Sequence, residues 1–457
     1  MDMNNRSVLL INIGGVTKED ASNTYLWIPY GLLTIATIAA GEQKYNVKIL
    51  DLMLNPDYLK YIEKTKPFVI GISATSPEYP KAIDVSNSIG AAYPDIPIIF
   101  GGVHPTLYPL EVFKDSPSVK AVVVGEGEFA FLNILERLVE NKDMDGIPNV
   151  ILRKNQSYNT NCTEYVDGSK FAMPRYDLID NIEKYIDASE YELGYKALHI
   201  VLTRGCPYNC AYCSVKSIQG TRVRAPEAAK AAGFIGDCLK KYKKSGVEGF
   251  WLKDSDFVLN WRWVQALHKH IDDLGLKPKF SIHSNPINFI RRTGTSGNRL
   301  LSDRLEALSR MGVTHIWLGI ESGSIDILKK YKQKVDLADI YNIVDACKKV
   351  NIKPCGFFMI GFWDEKLINI KETFKLMNSL ALEKKRLHIL NPLPGSRLYD
   401  FYLKKGLLKV GLESNLGFSQ AAVPTKYLSV KKLMMIYQEM HQFFYEGRSK
   451  PHWIKEY

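Results

Sequence analysis

Cysteine is scarce in this sequence, with seven residues in 457, and four of them (Cys162, Cys238, Cys347 and Cys355) stand alone. An odd, scattered set in so long a chain excludes a disulfide framework and suits reducing surroundings. No apolar run approaches the ~20 residues of a membrane span. The start, MDMNNRSVLLINIGG, lacks the charged head, long apolar stretch and small-residue cleavage site of a secretion signal. A cytoplasmic location is the expectation. Internal repeats beyond a βα alternation and low-complexity segments are missing too. So is a long basic block, although the formal net charge is +11. The densest basic stretch, CLKKYKKSG, is interrupted by apolar residues and reads as the solvated face of a helix. The positive balance suits an anionic ligand or acidic partner and does not by itself indicate nucleic acid.

What is present is a chain of 457 residues, 46% hydrophobic, enough for two or three cores at roughly 100–200 residues each. The front part, about residues 1–140, alternates apolar strands (SVLLINIGG, NVKILDL, PFVIGISATS, DIPIIFGGVHPT, VKAVVVGEGE) with helical stretches. Short apolar strands bounded by glycine predict a parallel, doubly wound (Rossmann-like) sheet covered on both faces. Its ligand edge lies beyond the carboxyl ends of the strands. There stand Ser73 and Thr75 in SATS, Gly101 and Gly102 in GGVHPT, and Gly125 and Glu126 in GEGE. A polar, proline-interrupted stretch at about 141–196 reads as an ordered linker. From about 197 to 397 the alternation restarts with ALHIVLTRG, GFWLKDSDF, KFSIHSN, THIWLGIES, PCGFFMIGF and RLHILNPLPG. Six βα units predict an open, partial (β/α)6 barrel, because a full barrel needs eight. The tail, about 398–457, reads as amphipathic helices covering that barrel.

The remaining three cysteines lie together in RGCPYNCAYC, where Cys206, Cys210 and Cys213 follow a strand directly. Thiolates are soft ligands for zinc or iron–sulfur clusters. Structural zinc closes its shell with four ligands, usually in pairs, and no second pair exists here. Three on one loop fit a cubane cluster with one iron left open; incidental cysteines or a partial zinc site are the bland alternatives.

CPYNCAYC matches the three-cysteine signature of the radical SAM family. TRGCPYNCAYC, RVRAPE, WLKDSDFVLN, LGIESGS, FFMIGF and NPLPGSRLY fall in the order of the branch that carries an N-terminal cobalamin-binding domain. The front domain resembles that branch in IPYGLLTIATIAAG, VIGISATS, IIFGGVHPTLYP and VVVGEGE. The resemblance implies a [4Fe-4S] cluster on Cys206, Cys210 and Cys213, with S-adenosylmethionine (SAM) on the open iron. Reductive cleavage of SAM then gives a 5′-deoxyadenosyl radical, chemistry that the cofactor supplies while the protein positions it and excludes water.

The same resemblance puts Tyr212 against adenine, where a core tyrosine is the alternative. Asp254 and Asp256 either accept from the SAM ammonium or cap the next helix. Glu321 and Ser322 are placed to accept from ribose hydroxyls, Ser324 as a helix cap, and Ile360 against adenine or in a plain buried strand. Arg222 and Arg224 hold the cluster loop or a carboxylate, or are solvated. The family often follows the FFMI strand with PGE; this chain reads WDEK, which puts that turn in doubt.

For cobalamin, the resemblance assigns Ser73 and Thr75 to the buried nucleotide tail and Gly101, Gly102, Gly125 and Glu126 to its passage. The first loop carries no histidine, His104 lies elsewhere, and histidine ligation of cobalt is not supported. Trp27 covers the lower cobalt face or packs in the core. The expected activity is cobalamin-dependent C-methylation of a small molecule or natural-product intermediate, with a flavodoxin- or ferredoxin-type electron donor. A cyclisation, oxidation or rearrangement, with or without cobalamin, is the alternative. A nucleic-acid modification or binding protein is the alternative of another class. It is disfavoured because the front domain has no cysteine triad and no small β-barrel RNA module follows.

Overall fold

The computed structural model describes residues 6–14, 26–41, 44–154, 164–292, 298–332, 335–408 and 419–454. Cys162 and most of the first loop, 15–25, lie outside them. The chain forms two compact units, Met1–Ala188 with Ser217–Gly220, and Ser189–Lys216 with Thr221–Tyr457.

The first unit is built on β1 (Ser7–Asn12), β2 (Asn46–Asp51), β3 (Val69–Ser73), β4 (Ile98–Gly101), β5 (Val119–Val123) and β6 (Val150–Leu152), ordered β2-β1-β3-β4-β5-β6. The first five are parallel, and β6 joins β5 antiparallel. Val8, Leu9, Leu10 and Ile11 are all buried, because helices cover both faces of β1. The order reverses at β1, and the crevice between β1 and β3 is the switch point where such sheets take ligands. Asp51 ends β2 as a buried knot. It accepts from Asn12 Nδ2 at 3.0 Å, the Met53 N–H at 2.9 Å and the Tyr185 hydroxyl at 2.6 Å.

Residues 141–188, expected as linker, cluster with this first unit. Arg153 shows how they are fastened: its guanidinium donates to the carbonyls of Phe113, Ser116, Pro117 and Val119 at 2.7–3.2 Å. A guanidinium presents five donors in a fixed fork, so one side chain satisfies a whole strand approach.

The second unit holds β7 (Lys196–Ile200), β8 (Val247–Leu252), β9 (Lys279–Ser284), β12 (Val313–Glu321), β13 (Lys353–Ile360) and β14 (Lys384–Ile389) in one parallel sheet, in chain order. A short hairpin, β10 (Ile290–Arg292) with β11 (Asn298–Leu300), is inserted after β9. β7 and β14 form the two edges, so the six strands make a curled half-barrel. An open edge leaves backbone groups unpaired. On β14 the helix Val430–Glu446 covers it. The Tyr445 hydroxyl accepts the Leu387 N–H at 2.8 Å and donates to the Lys385 carbonyl at 3.1 Å. Phe443 and Phe444 of that helix pack on Phe374 at 5.1 and 5.2 Å between centroids. The expected cover by the tail is what these contacts build. Among the described residues no helix is long and apolar enough to cross a membrane.

Candidate functional site

The cysteine loop leaves the carboxyl end of β7 and is fixed at both ends. Asp254, buried just past β8, accepts the backbone N–H of Leu202 at 3.4 Å and of Thr203. Arg204 and Arg224 exchange backbone hydrogen bonds of 2.9 and 2.8 Å, a two-rung bridge that closes the loop. Farther along, Ala211 donates to the Tyr331 carbonyl at 2.9 Å and accepts from the Leu398 N–H at 2.8 Å. The RVRAPE segment therefore serves the loop through its backbone.

Cys206, Cys210 and Cys213 are free thiols of intermediate exposure. Burial pushes Cys206 up to about 11, with smaller contributions of the same sign from Asp256 and the other two thiols. Burial also raises Cys210 and Cys213; Lys332 opposes it at both, and Glu321 reinforces it. The three thiols sense one another yet do not converge on one point as ligands of a single ion do, since no such group of His, Cys, Asp or Glu occurs among the described residues. Ligands to separate irons of a cluster stand apart. A bound cationic cluster supplies the positive charge that turns raised thiols into thiolates. The donor set fits an iron–sulfur cluster.

Beside the thiols lies a strained carboxylate. Glu321 ends β12 at φ 73°, and the Ser322 N–H donates to the Ile320 carbonyl across it at 3.0 Å. This is a γ-turn with a non-glycine centre, a costly backbone that needs support. Lys332 gives it, with its ammonium 3.2 Å from Glu321 Oε1 and also bonded to the Gly319 carbonyl. Tyr212 stands next to this pair. Its hydroxyl is hydrogen-bonded to Cys210, and its ring meets Phe362 edge-on at 6.0 Å.

Several polar residues expected to touch SAM have hydrogen-bond partners within the protein. Asp256 accepts from Ser284 Oγ (3.0 Å), the Asn285 N–H (3.1 Å) and Asn288 Nδ2 (2.6 Å). Burial raises both Asp254 and Asp256 to about 6. Ser322 is buried, 3.1 Å from Thr373 Oγ1 and accepting the Ser324 N–H at 3.1 Å. Ser324 occupies the N-cap of the helix Ile325–Tyr331 without a side-chain capping bond; its hydroxyl accepts from Asn369 Nδ2 at 2.9 Å. Ile360 is fully buried on the face of Phe358, opposite Phe357 and Met359. The turn after β13 closes without PGE: Glu365 accepts the N–H groups of Gly361 and Phe362.

In the first unit, Ser73 and Gly101 are register partners on β3 and β4. Gly102 follows at φ 100°, where a β-carbon would lie 2.7 Å from the Ala74 carbonyl and 2.8 Å from Ser73 Oγ. At Gly101 the nearest atom would be 3.7 Å away, ordinary contact. Gly101 thus permits close approach of a ligand to the backbone at the end of β4, whereas at Gly102 the space a side chain would need is filled by Ala74 and Ser73. The Gly125 N–H donates to Thr106 Oγ1 at 2.9 Å. Thr75 is exposed and its N–H donates to Glu78. Glu126 turns its carboxylate to the Val166 N–H at 2.6 Å. His104 is buried against Tyr79, 3.8 Å between centroids, and within 3.2 Å of Ser76 Oγ. Trp27 is 43% exposed and so is not a core residue.

The comparisons with known proteins meet this geometry. The B12 binding domain family matches residues 21–135 and the Radical SAM superfamily residues 200–377. The chain belongs to the radical SAM enzymes that carry a B12-binding domain. A radical SAM domain implies a [4Fe-4S] cluster and SAM, and the B12-binding domain implies cobalamin. An uncharacterized methyltransferase of Pyrococcus horikoshii is 26% identical over 83% of this chain and 79% of its own length. An anaerobic magnesium-protoporphyrin IX monomethyl ester cyclase of Rubrivivax gelatinosus is 22% identical over 82% of this chain and 66% of its own. Among solved structures, the radical SAM methyltransferase TsrM of Kitasatospora setae, with cobalamin and a [4Fe-4S] cluster bound, superposes with a TM-score of 0.68. It is 16% identical, over 97% of this chain and 83% of that one, a likeness of fold. The relatives of this radical SAM enzyme thus include methyltransferases and cyclases alike.

Sequence reasoning missed Lys332 and Glu365. Lys332 lies eleven residues beyond Glu321, past a helix, and only the fold returns it. Glu365 had a signal in WDEK, where it stands in the place of the PGE glutamate.

Proposed function

We propose that this enzyme methylates an unactivated carbon of a small molecule, with Cys206, Cys210 and Cys213 as cluster ligands. The observation that carries the proposal is the loop of three free thiols at the carboxyl end of β7, clamped by Asp254 and the Arg204–Arg224 bridge. When bound, the cluster with SAM supplies radical hydrogen abstraction and cobalamin supplies the methyl group. This chain's residues do the rest. Asp254 and Asp256 hold the loop and its neighbouring turn, so they position rather than bind. Lys332 favours the thiolates of Cys210 and Cys213 and holds the Glu321 carboxylate in place toward SAM. Tyr212 fixes Cys210 through its hydroxyl. Ser73, Gly101 and Gly102 receive the nucleotide tail of cobalamin; Thr75, Gly125 and Glu126 shape its rim. An acidic flavodoxin- or ferredoxin-type donor suits the net charge of +11, and a cytoplasmic setting suits the thiols.

The test is anaerobic reconstitution with iron, sulfide and cobalamin, followed by analysis of SAM-derived products. Methylation predicts S-adenosylhomocysteine together with 5′-deoxyadenosine. The cyclase relative supports a second reading, a cyclisation or other rearrangement, which predicts 5′-deoxyadenosine alone.

A further inference from the structure

The cysteine loop meets solvent between its first two thiols. Pro207 and Asn209 are exposed, while Cys206 and Cys210 beside them are half-buried. Two guanidinium groups are tied to this stretch. Arg397 is exposed and donates from Nη2 to the Asn209 carbonyl at 2.7 Å. Arg304, half-buried in the helix Ser302–Met311, donates from Nη1 to the Asn288 carbonyl at 2.6 Å. Asn288 Oδ1 in turn accepts the Tyr208 hydroxyl at 2.5 Å. The Arg304 guanidinium also lies over the Trp261 ring, 5.1 Å from its centroid.

The hairpin inserted after β9 extends this positive edge. Arg291 on β10 and Arg299 on β11 are register partners, and both are exposed. Among the described residues no carboxylate pairs with either. Like charges directly opposite each other destabilise a strand pair, and an acidic partner relieves that repulsion through charge-assisted bonds. Burial lowers Arg304; Asp303 opposes that and Arg291 adds to it, so the hairpin is within electrostatic reach of the group that holds Asn288. Asp303 is exposed and offsets part of the charge. The four arginines come from three separate elements, the hairpin and two helices. That layout suits an extended acidic surface better than one small anion. An electron entering at Pro207–Asn209 arrives between two of the thiols.

We propose that this face docks an acidic redox protein, a flavin- or iron–sulfur-carrying one-electron donor, through Arg291, Arg299, Arg304 and Arg397. The donor's centre is oxidised by one electron and this chain's cluster is reduced by one; no bond forms between the proteins. The inference rests on the function proposed above, since it gives the exposed side of the cluster loop its partner. Electron-transfer encounters bury little surface and are weak, so charge reversal acts on affinity and its salt dependence.

The full chain, without cofactors, is titrated by thermophoresis with the flavodoxin and with the ferredoxin of the same organism, at low and high salt. At least one carrier binds wild type, more weakly at high salt, and which one does so separates flavin from iron–sulfur donors. Arg291→Glu with Arg299→Glu keeps a like-charged pair, so the hairpin is no worse off, and weakens binding by about tenfold or more. Arg397→Glu weakens it as well. Lys243→Glu with Lys244→Glu makes the same change of net charge in the turn before β8, at the opposite end of the sheet, and binds as wild type does. Binding of neither carrier, full binding in either arginine variant, an equal loss in the lysine variant, or tighter binding of bulk tRNA than of either carrier overturns the proposal.

Reconstituted enzyme separates this inference from the reading beneath it. With dithionite the hairpin variant cleaves SAM as wild type does; with the protein donor it is slower by about tenfold. A variant that is equally slow with dithionite has a damaged cluster site, which overturns the docking role. Should wild type cleave no SAM with dithionite, the function proposed above fails while the docking surface stands. Should both cleave SAM and the variant still bind the carrier, this inference alone fails.

Discussion

The Glu321 carboxylate is held 3.2 Å from the Lys332 ammonium directly above Gly319, at the centre of a γ-turn. A β-carbon at Gly319 would stand 2.7 Å from Glu321 Oε1 and 3.0 Å from Lys332 Nζ. Both atoms end flexible side chains, so Gly319→Ala displaces the pair without opening the sheet. Stability should change by no more than about 1 kcal/mol, while reductive SAM cleavage falls by about tenfold or more. Thermal melts and quantified 5′-deoxyadenosine check the two halves. A variant that melts early and cleaves normally would reverse the assignment.

Glu365 makes stability depend on pH. Burial raises its carboxyl from 4.5 to about 8, although the Gly361 and Phe362 N–H groups favour the charged form. Between those values the folded chain keeps a proton that the unfolded chain has released, so stability falls as pH rises. Glu365→Gln retains an acceptor for both N–H groups and does not titrate. Its advantage over wild type should widen from pH 5 to pH 8, by on the order of a few kcal/mol. Paired urea melts at the two pH values measure the gap; a constant difference would show that Glu365 ionises normally.

Gly101, which ends β4, and Gly102, which follows it, should separate ligand from fold. Gly101→Ala meets only ordinary contacts, so the first unit folds and cobalamin retention drops. Gly102→Ala combines φ 100° with a 2.7 Å approach to the Ala74 carbonyl, so stability itself falls, by about 1–3 kcal/mol. Retention of cobalamin after gel filtration, beside a melt of each variant, distinguishes the two.

The strands were legible because each apolar run is bounded by glycine or polar turns, and the cysteine loop because its spacing is local. β6 was not, since three residues, Val150–Leu152, carry no period. The fates of Asp254, Asp256 and Ser322 were hidden for another reason. A buried polar group announces that it needs hydrogen bonds, and not whether a ligand or the protein supplies them. Here Ser284, Asn285 and Asn288 supply those of Asp256, from about 30 residues away. Glu126 finds Val166 forty residues on. Ile360 was within reach of sequence, because strand alternation places it opposite Phe357.

The most direct test of the central claim is the Mössbauer spectrum of anaerobically reconstituted, iron-57-labelled protein, compared with the triple variant Cys206→Ala, Cys210→Ala, Cys213→Ala. Wild type should show a [4Fe-4S] cluster with one iron site that shifts when SAM is added, and the triple variant should hold no cluster. A cluster that persists without the three thiols, or wild-type protein that takes up zinc in place of iron, would contradict the account.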